Sequence, residues 1–164
     1  MRKSLSASAF MALSLAFAQG VNAEPLGIGD ARMGMPIEDV FKNQDVVCRP
    51  GGMIYKYTIC NNPISIRSKP VQARYHFDSN ELVSILLELD HVNYEAIRDE
   101  LKEEWGEPSL QETEKSSFAM EWNLPAGVIT MAYDWERKNS GSARMTSREG
   151  IERYAEKMKD YLPK

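Results

Sequence analysis

Few side chains in this 164-residue chain are of types that could carry covalent, acid–base or metal chemistry. Cys48 and Cys60 are its two cysteines, both within VVCRPGGMIYKYTIC. A redox pair would show the spacing C-x-x-C, and a zinc site would need two further ligands near by. The pair therefore reads as a structural disulfide of an oxidising compartment. Closing a loop of about 13 residues contributes on the order of 3 kcal/mol in the chain-entropy model. Bridged Cα atoms lie within roughly 7 Å, whereas the intervening residues fully extended reach about 40 Å, so the chain must turn back. RPGG, Arg49 to Gly52, is the expected turn. It sits nearer Cys48, so the bridge is expected to pin a loop to the far end of a strand.

His76 and His91 are the two imidazoles, and Asp78 with Glu81 and Asp134 with Glu136 are closely spaced carboxylates. A base needs a nucleophile or an orienting carboxylate in reach, and carboxylate pairs work only where surroundings split their pKa values. Acids at strand ends are commonplace. The sequence has no Gly-x-Ser-x-Gly elbow, His-Glu-x-x-His, phosphate loop or dinucleotide fingerprint. GIGDARMG holds three glycines without the required spacing or a preceding strand. No catalytic residue, metal ligand or cofactor is assigned, and the chain is expected not to be an enzyme.

The first residues set the compartment. MRKSLSASAFMALSLAFAQGVNA has a basic start, an apolar run from about Ala7 to Ala18, and small residues at Val21 and Ala23, the pattern of a secretory signal peptide. The run is shorter than the roughly 20 residues that cross a bilayer. A mature chain of residues 24–164 is expected in the bacterial periplasm, and no cysteine follows the cleavage point to take a lipid. Removing Arg2 and Lys3 moves the formal charge from −4 to −6. Without a basic block, nucleic acid is not an expected partner. RDELKEEWGE is mixed in sign and reads as a solvated helix face.

Period-two patterns place strands in MIYKYTIC, VQARYHFD, LVSILLEL, SSFAMEWN, GVITMAYDW and SARMTS, six in all, with DSNE and LPAG as turns. In the first of these Met53, Tyr55, Tyr57 and Ile59 share one face, and Ile54, Lys56, Thr58 and Cys60 the other. Helices are predicted in MPIEDVF, in NYEAIRDELKEEWGEP with Asn93 as N-cap and Gly106 as stop, and after Ser147 with a stripe of Ile151, Tyr154, Met158 and Tyr161. The expected fold is α+β, one domain over residues 24–164 with halves of about 24–90 and 91–164. Each half is a helix followed by three antiparallel strands, and a C-terminal helix closes the chain. The six strands form one sheet or two units side by side, with all helices on the apolar face.

GIGDARMGMPIEDVF resembles the Gly-Met-x-x-x-x-Val start of small envelope domains of the SmpA/OmlA outer-membrane assembly type. The doubled helix-plus-strands order with a close cysteine pair in the first half is similar to the tandem α+β architecture of β-lactamase inhibitory protein-like proteins. The second half lacks the cysteine pair those proteins carry, so inhibition of that particular enzyme does not transfer. The resemblance implies a sheet whose open face holds a protein partner.

The open face is expected to carry Lys56, Gln72, Arg74, His76, Glu88 and Glu121. The function expected is binding of another envelope or extracellular protein through that polar face, inhibitor-like or accessory. A small hydrolase with an unrecognised site, or an accessory factor in outer-membrane assembly, is the alternative.

Overall fold

The computed structural model describes residues 24–42, 44–51, 57–136 and 140–159. The expected signal peptide, residues 1–23, lies outside them, as do Met53 to Lys56 and Tyr161.

The chain begins with a short hairpin, β1 (Gly27–Ile28) and β2 (Ala31–Arg32), then α1 (Ile37–Phe41). There follow β3 (Cys48–Gly51), β4 (Tyr57–Asn61), the small hairpin β5 (Ile64–Ile66) and β6 (Lys69–Val71), β7 (Ala73–Asp78) and β8 (Glu81–Asp90). After α2 (Tyr94–Trp105) come β9 (Leu110–Thr113), β10 (Ser117–Leu124), β11 (Gly127–Asp134), β12 (Ser140–Ser147) and α3 (Arg148–Lys159).

Eight strands make one antiparallel sheet in the order β3-β4-β7-β8-β12-β11-β10-β9. The expected count of six is corrected by two short strands at opposite edges. Neither reads as a strand: β3 is Cys-Arg-Pro-Gly, and all four residues of β9 are exposed, without an apolar alternate. Each half contributes four strands in sequence, and their last strands, β8 and β12, join at the centre. The sheet therefore runs unbroken through both halves.

One face, the inner face, carries the main core. Tyr75, Ile85, Met145, Ile129 and Trp122 lie in one cross-strand row and are buried. α1 sets Phe41 on Tyr75 and Phe77, with ring centroids 5.2 and 6.0 Å apart. α2 stacks Tyr94 on Tyr133 at 4.5 Å, and the indole N–H of Trp122 donates to the carbonyl of Gly106 at 2.8 Å. Acids of α2 are not merely solvated: Arg67 of the β5–β6 turn pairs with Glu100 and Glu103, and Arg32 with Glu104. Asn93 does stand at the N-cap position, but its side chain makes no cap bond. It accepts from the Asp90 N–H at 2.9 Å and donates to the carbonyls of Pro70 and Glu88, tying the helix start to the sheet.

The disulfide is formed, but its setting corrects the expected one. Cys48 and Cys60 are register partners in β3 and β4, with Cα atoms 4.2 Å apart. Arg49, Pro50 and Gly51 belong to the strand and not to a turn. Proline is tolerated there because β3 is an edge strand, where a missing N–H need not break a ladder.

The helices do not all lie on the apolar face. α3 packs on the opposite, outer face, over the end of β4, β7, β8 and β12. This also reverses β4: Cys60 faces the main core, whereas Tyr57 and Ile59 face α3.

Replacing both cysteines with serine is expected to lower unfolding free energy by about 3 kcal/mol, on the loop-closure scale of a bridge this short. Urea unfolding of the variant beside the oxidised protein measures it; an unchanged midpoint would show that the β3–β4 ladder holds that edge unaided.

Candidate functional site

The outer face is laid out by the ladder register. One row reads Asn61, Arg74, Leu86, Arg144, Thr130, Glu121 across six strands. The next row toward α3 reads Ile59, His76, Ser84, Thr146, Val128, Asn123. The row on the far side reads Glu88, Ser142, Ala132, Ala119, Glu112.

The first and third rows are open. Ala119, Thr130, Ala132, Ser142 and Arg144 are exposed. Small side chains set side by side between acids leave a shallow cavity of about 410 Å³, bordered by Glu112, Glu114, Ser117 and Asp134. Of the residues expected on the polar face, Gln72, Arg74, Glu88 and Glu121 come to this side of the sheet. Arg74 donates to Glu88 at 3.0 Å. Arg74 and Glu121 share a row but stand four strands apart, about 19 Å at the usual ~4.8 Å spacing. They can meet one protein partner and are too far apart to hold one small ligand. Lys56 lies outside the described residues.

His76 belongs to a different environment. α3 covers it, together with Tyr57, whose ring lies edge-on 5.5 Å away, and Ser84. Sequence periodicity places His76 on the correct side of its strand; the α3 cover moves it from the open face into a second, smaller core.

Three sets of contacts hold α3 there. At its start the Ser147 hydroxyl accepts the Gly150 N–H at 2.9 Å, an N-cap bond. Arg148 reaches Asn123 and the carbonyl of Leu124 at 3.0 and 2.8 Å. Along the helix, Arg153 pairs with buried Asp78 at 3.4 Å and with Glu81, and Lys157 pairs with Asp78 at 3.5 Å. Hydrogen bonds to Glu149, then to Glu81, raise the Arg153 pKa above its ordinary value. The Asp78 and Glu81 pair singled out in the sequence is thus an anchor for a helix. Asp134 and Glu136 likewise form a turn, the Glu136 N–H donating to Asp134 at 2.9 Å.

Close approach of α3 depends on Gly150. A Cβ there would come within 2.9 Å of the Ser147 hydroxyl and 3.0 Å of the Val83 side chain. A register shift between His76 and Phe77 brings Val83 beneath the helix.

Electrostatics beneath α3 reflect that cover. Burial, reinforced by Arg144 and Arg74, lowers the His76 pKa to about 4, and its Nε2 is buried without a hydrogen-bond partner. Burial, reinforced by Asp78 and Tyr154, raises Tyr57 to about 12. The Ser84 hydroxyl is 3.2 Å from that of Thr146, and it makes no bond to His76. Among the described residues no carboxylate lines this pocket. With its pKa held low, His76 is neutral at pH 7, and among the described residues it is neither joined to a nucleophile nor oriented by an acid. Among the described residues no group of three or more His, Cys, Asp or Glu side chains converges to hold a metal ion.

Two outcomes are expected. Gly150→Leu should lift α3 and cost about 1–3 kcal/mol, the range for overpacking, read from urea unfolding. A histidine kept neutral by folding binds its proton more readily when unfolded, so its contribution is constant above pH 6.5 and is lost as pH falls toward 4. A fall in stability over that window, on the order of 3 kcal/mol at most, should shrink in His76→Phe. Equal pH dependence in the two proteins would show that His76 is not the group responsible.

Comparison of the chain with protein-family models, with curated proteins and with solved structures finds no match.

Proposed function

We propose that this is an exported bacterial envelope protein that binds another protein through the open half of its outer sheet face. The observation that carries the reading is the confinement of α3 to one end. Rows running from Arg74 to Glu121 and from Glu88 to Glu112 lie on laddered, mostly central strands, and among the described residues no element covers them.

The chemistry of that half suits a protein surface. Its middle is flat, because Ala119, Ala132 and Ser142 project little, and a partner can approach the sheet closely there. Charges of both signs surround the flat region: Arg74 and Arg144 on one side, Glu88, Glu112 and Glu121 around the rest. Complementary charges around a contact set orientation and association rate more than raw affinity. The surplus of acids toward β9 and β10 favours a partner that presents lysine or arginine at that end. An inhibitor-like or accessory role in the envelope is consistent with such a surface.

Export is supported by two observations: the leader-like first residues and the formed disulfide. Hydrolysis has less support, since among the described residues the imidazole beneath α3 has no carboxylate beside it and no bond to a hydroxyl.

The test uses the mature protein as bait in periplasmic extract, compared with Ala132→Arg and with Lys159→Glu on α3. Ala132→Arg plants a bulky charge in the flat region without touching the core. A specific partner should be retained by the parent protein and by Lys159→Glu, and lost at least tenfold by Ala132→Arg. Equal capture by all three proteins would remove the outer face as the binding surface.

A further inference from the structure

The second core beneath α3 is not fully packed. Between the helix and the sheet lies a cavity of about 340 Å³, within the roughly 300–1,000 Å³ of small-molecule sites. Its walls are apolar where the two elements face each other: Ile59 and Val83 from the sheet, Ile151 from α3. Tyr57 and Tyr154 border it.

Its polar groups divide into those already engaged and those free. Ser84 and Thr146 hydroxyls are within hydrogen-bond distance of each other. The Nε2 of His76 has no hydrogen-bond partner, although it is buried. Arg144 lines the same cavity from an exposed position and makes no hydrogen bond or ion pair among the described residues. Of the other arginines on or over this face, Arg74 pairs with Glu88 and Arg153 with Asp78, and Arg148 is held by Asn123 and the Leu124 carbonyl. An imidazole in its Nε2–H tautomer and a guanidinium are both donors. Among the described residues no lining carboxylate is present to receive a cation, and two arginines near His76 repel one.

We propose that this cavity is a binding site for a small monoanion with an apolar body. A carboxylate or sulfonate group would sit at the mouth against Arg144 and accept from His76, while its hydrocarbon part lies between Ile59 and Ile151. A charged donor at a carboxylate forms the stronger, shorter class of hydrogen bond, and the cavity walls supply burial for the remainder. This site meets the open half of the sheet only at Arg144, at its mouth, and does not depend on a protein partner there.

The probes are octanoate and octanol, equal in chain length and different in charge, titrated calorimetrically into the mature protein at pH 7. Octanoate is expected to bind one-to-one and at least tenfold more tightly than octanol. Arg144→Gln should bring octanoate down to the affinity of octanol and leave octanol unchanged. Methyl resonances of Ile59 and Ile151 should shift on octanoate binding, which locates the site without any variant. Failure of both probes to saturate overturns the proposal. So does equal affinity for the two, an Arg144→Gln protein that keeps full octanoate affinity, or shifts confined to methyl groups away from these two isoleucines.

Discussion

The pairing of β8 with β12 is the constraint on which the rest of the molecule depends. It is antiparallel and runs from Asp90 with Ser140 to Ser84 with Thr146. By joining the last strand of each half it turns two four-stranded meanders into one sheet. It also places Leu87 against Ala143 and Ile85 against Met145 at the centre of the main core. Because side chains alternate, the same ladder sets Leu86 beside Arg144 and Ser84 beside Thr146 on the other side. A slip of one residue would exchange these sets and destroy both faces at once.

The ladder also makes the outer face uneven. α3 leaves β12 immediately after Ser147 and folds back over the end of the sheet nearest Asp78. That end gains a small apolar layer, while the far end keeps water as its neighbour. One strand thus carries side chains with different duties: Arg74 lies in the open row and His76, two residues on, lies under a helix. The contrast arises from cover, not from residue type.

The parts of this arrangement that the sequence reveals are those with strong periodicity. β7, β10, β11 and β12 show clean alternation, and α2 and α3 show helical stripes, so their existence and type are readable. β3 and β9 carry no such pattern, because an edge strand needs little apolar surface and Pro50 with Gly51 reads as a turn. The position of α3 is a harder matter. Its Ile151 and Tyr154 stripe says that it packs on something without saying on which side of the sheet. A signal did exist, since Tyr57, Ile59 and Val83 are apolar residues that alternation with Cys60 and the break at Leu82 bring to the nominally polar side. The cysteine pair was legible as a bridge, whereas its cross-strand register depended on β3 being a strand at all. Of the face residues, Arg74, Glu88 and Glu121 were legible from strand parity; which of them share a surface depends on strand order, which periodicity does not encode.

The two margins of the sheet differ in how they meet other molecules of the same kind. At β3 a covalent link and a proline remove much of the template for adding another strand. At β9 the backbone is uncovered, and Glu112 within it and Glu114 just beyond carry the protection. Two such margins brought together antiparallel would set carboxylates against carboxylates, so like-charge repulsion guards against end-to-end stacking. That guard is one of colloidal behaviour and not of folding. It weakens in acid, where carboxylates take up protons, and in strong salt, where the repulsion is screened, so the long sheet is most exposed to edge contact under those conditions.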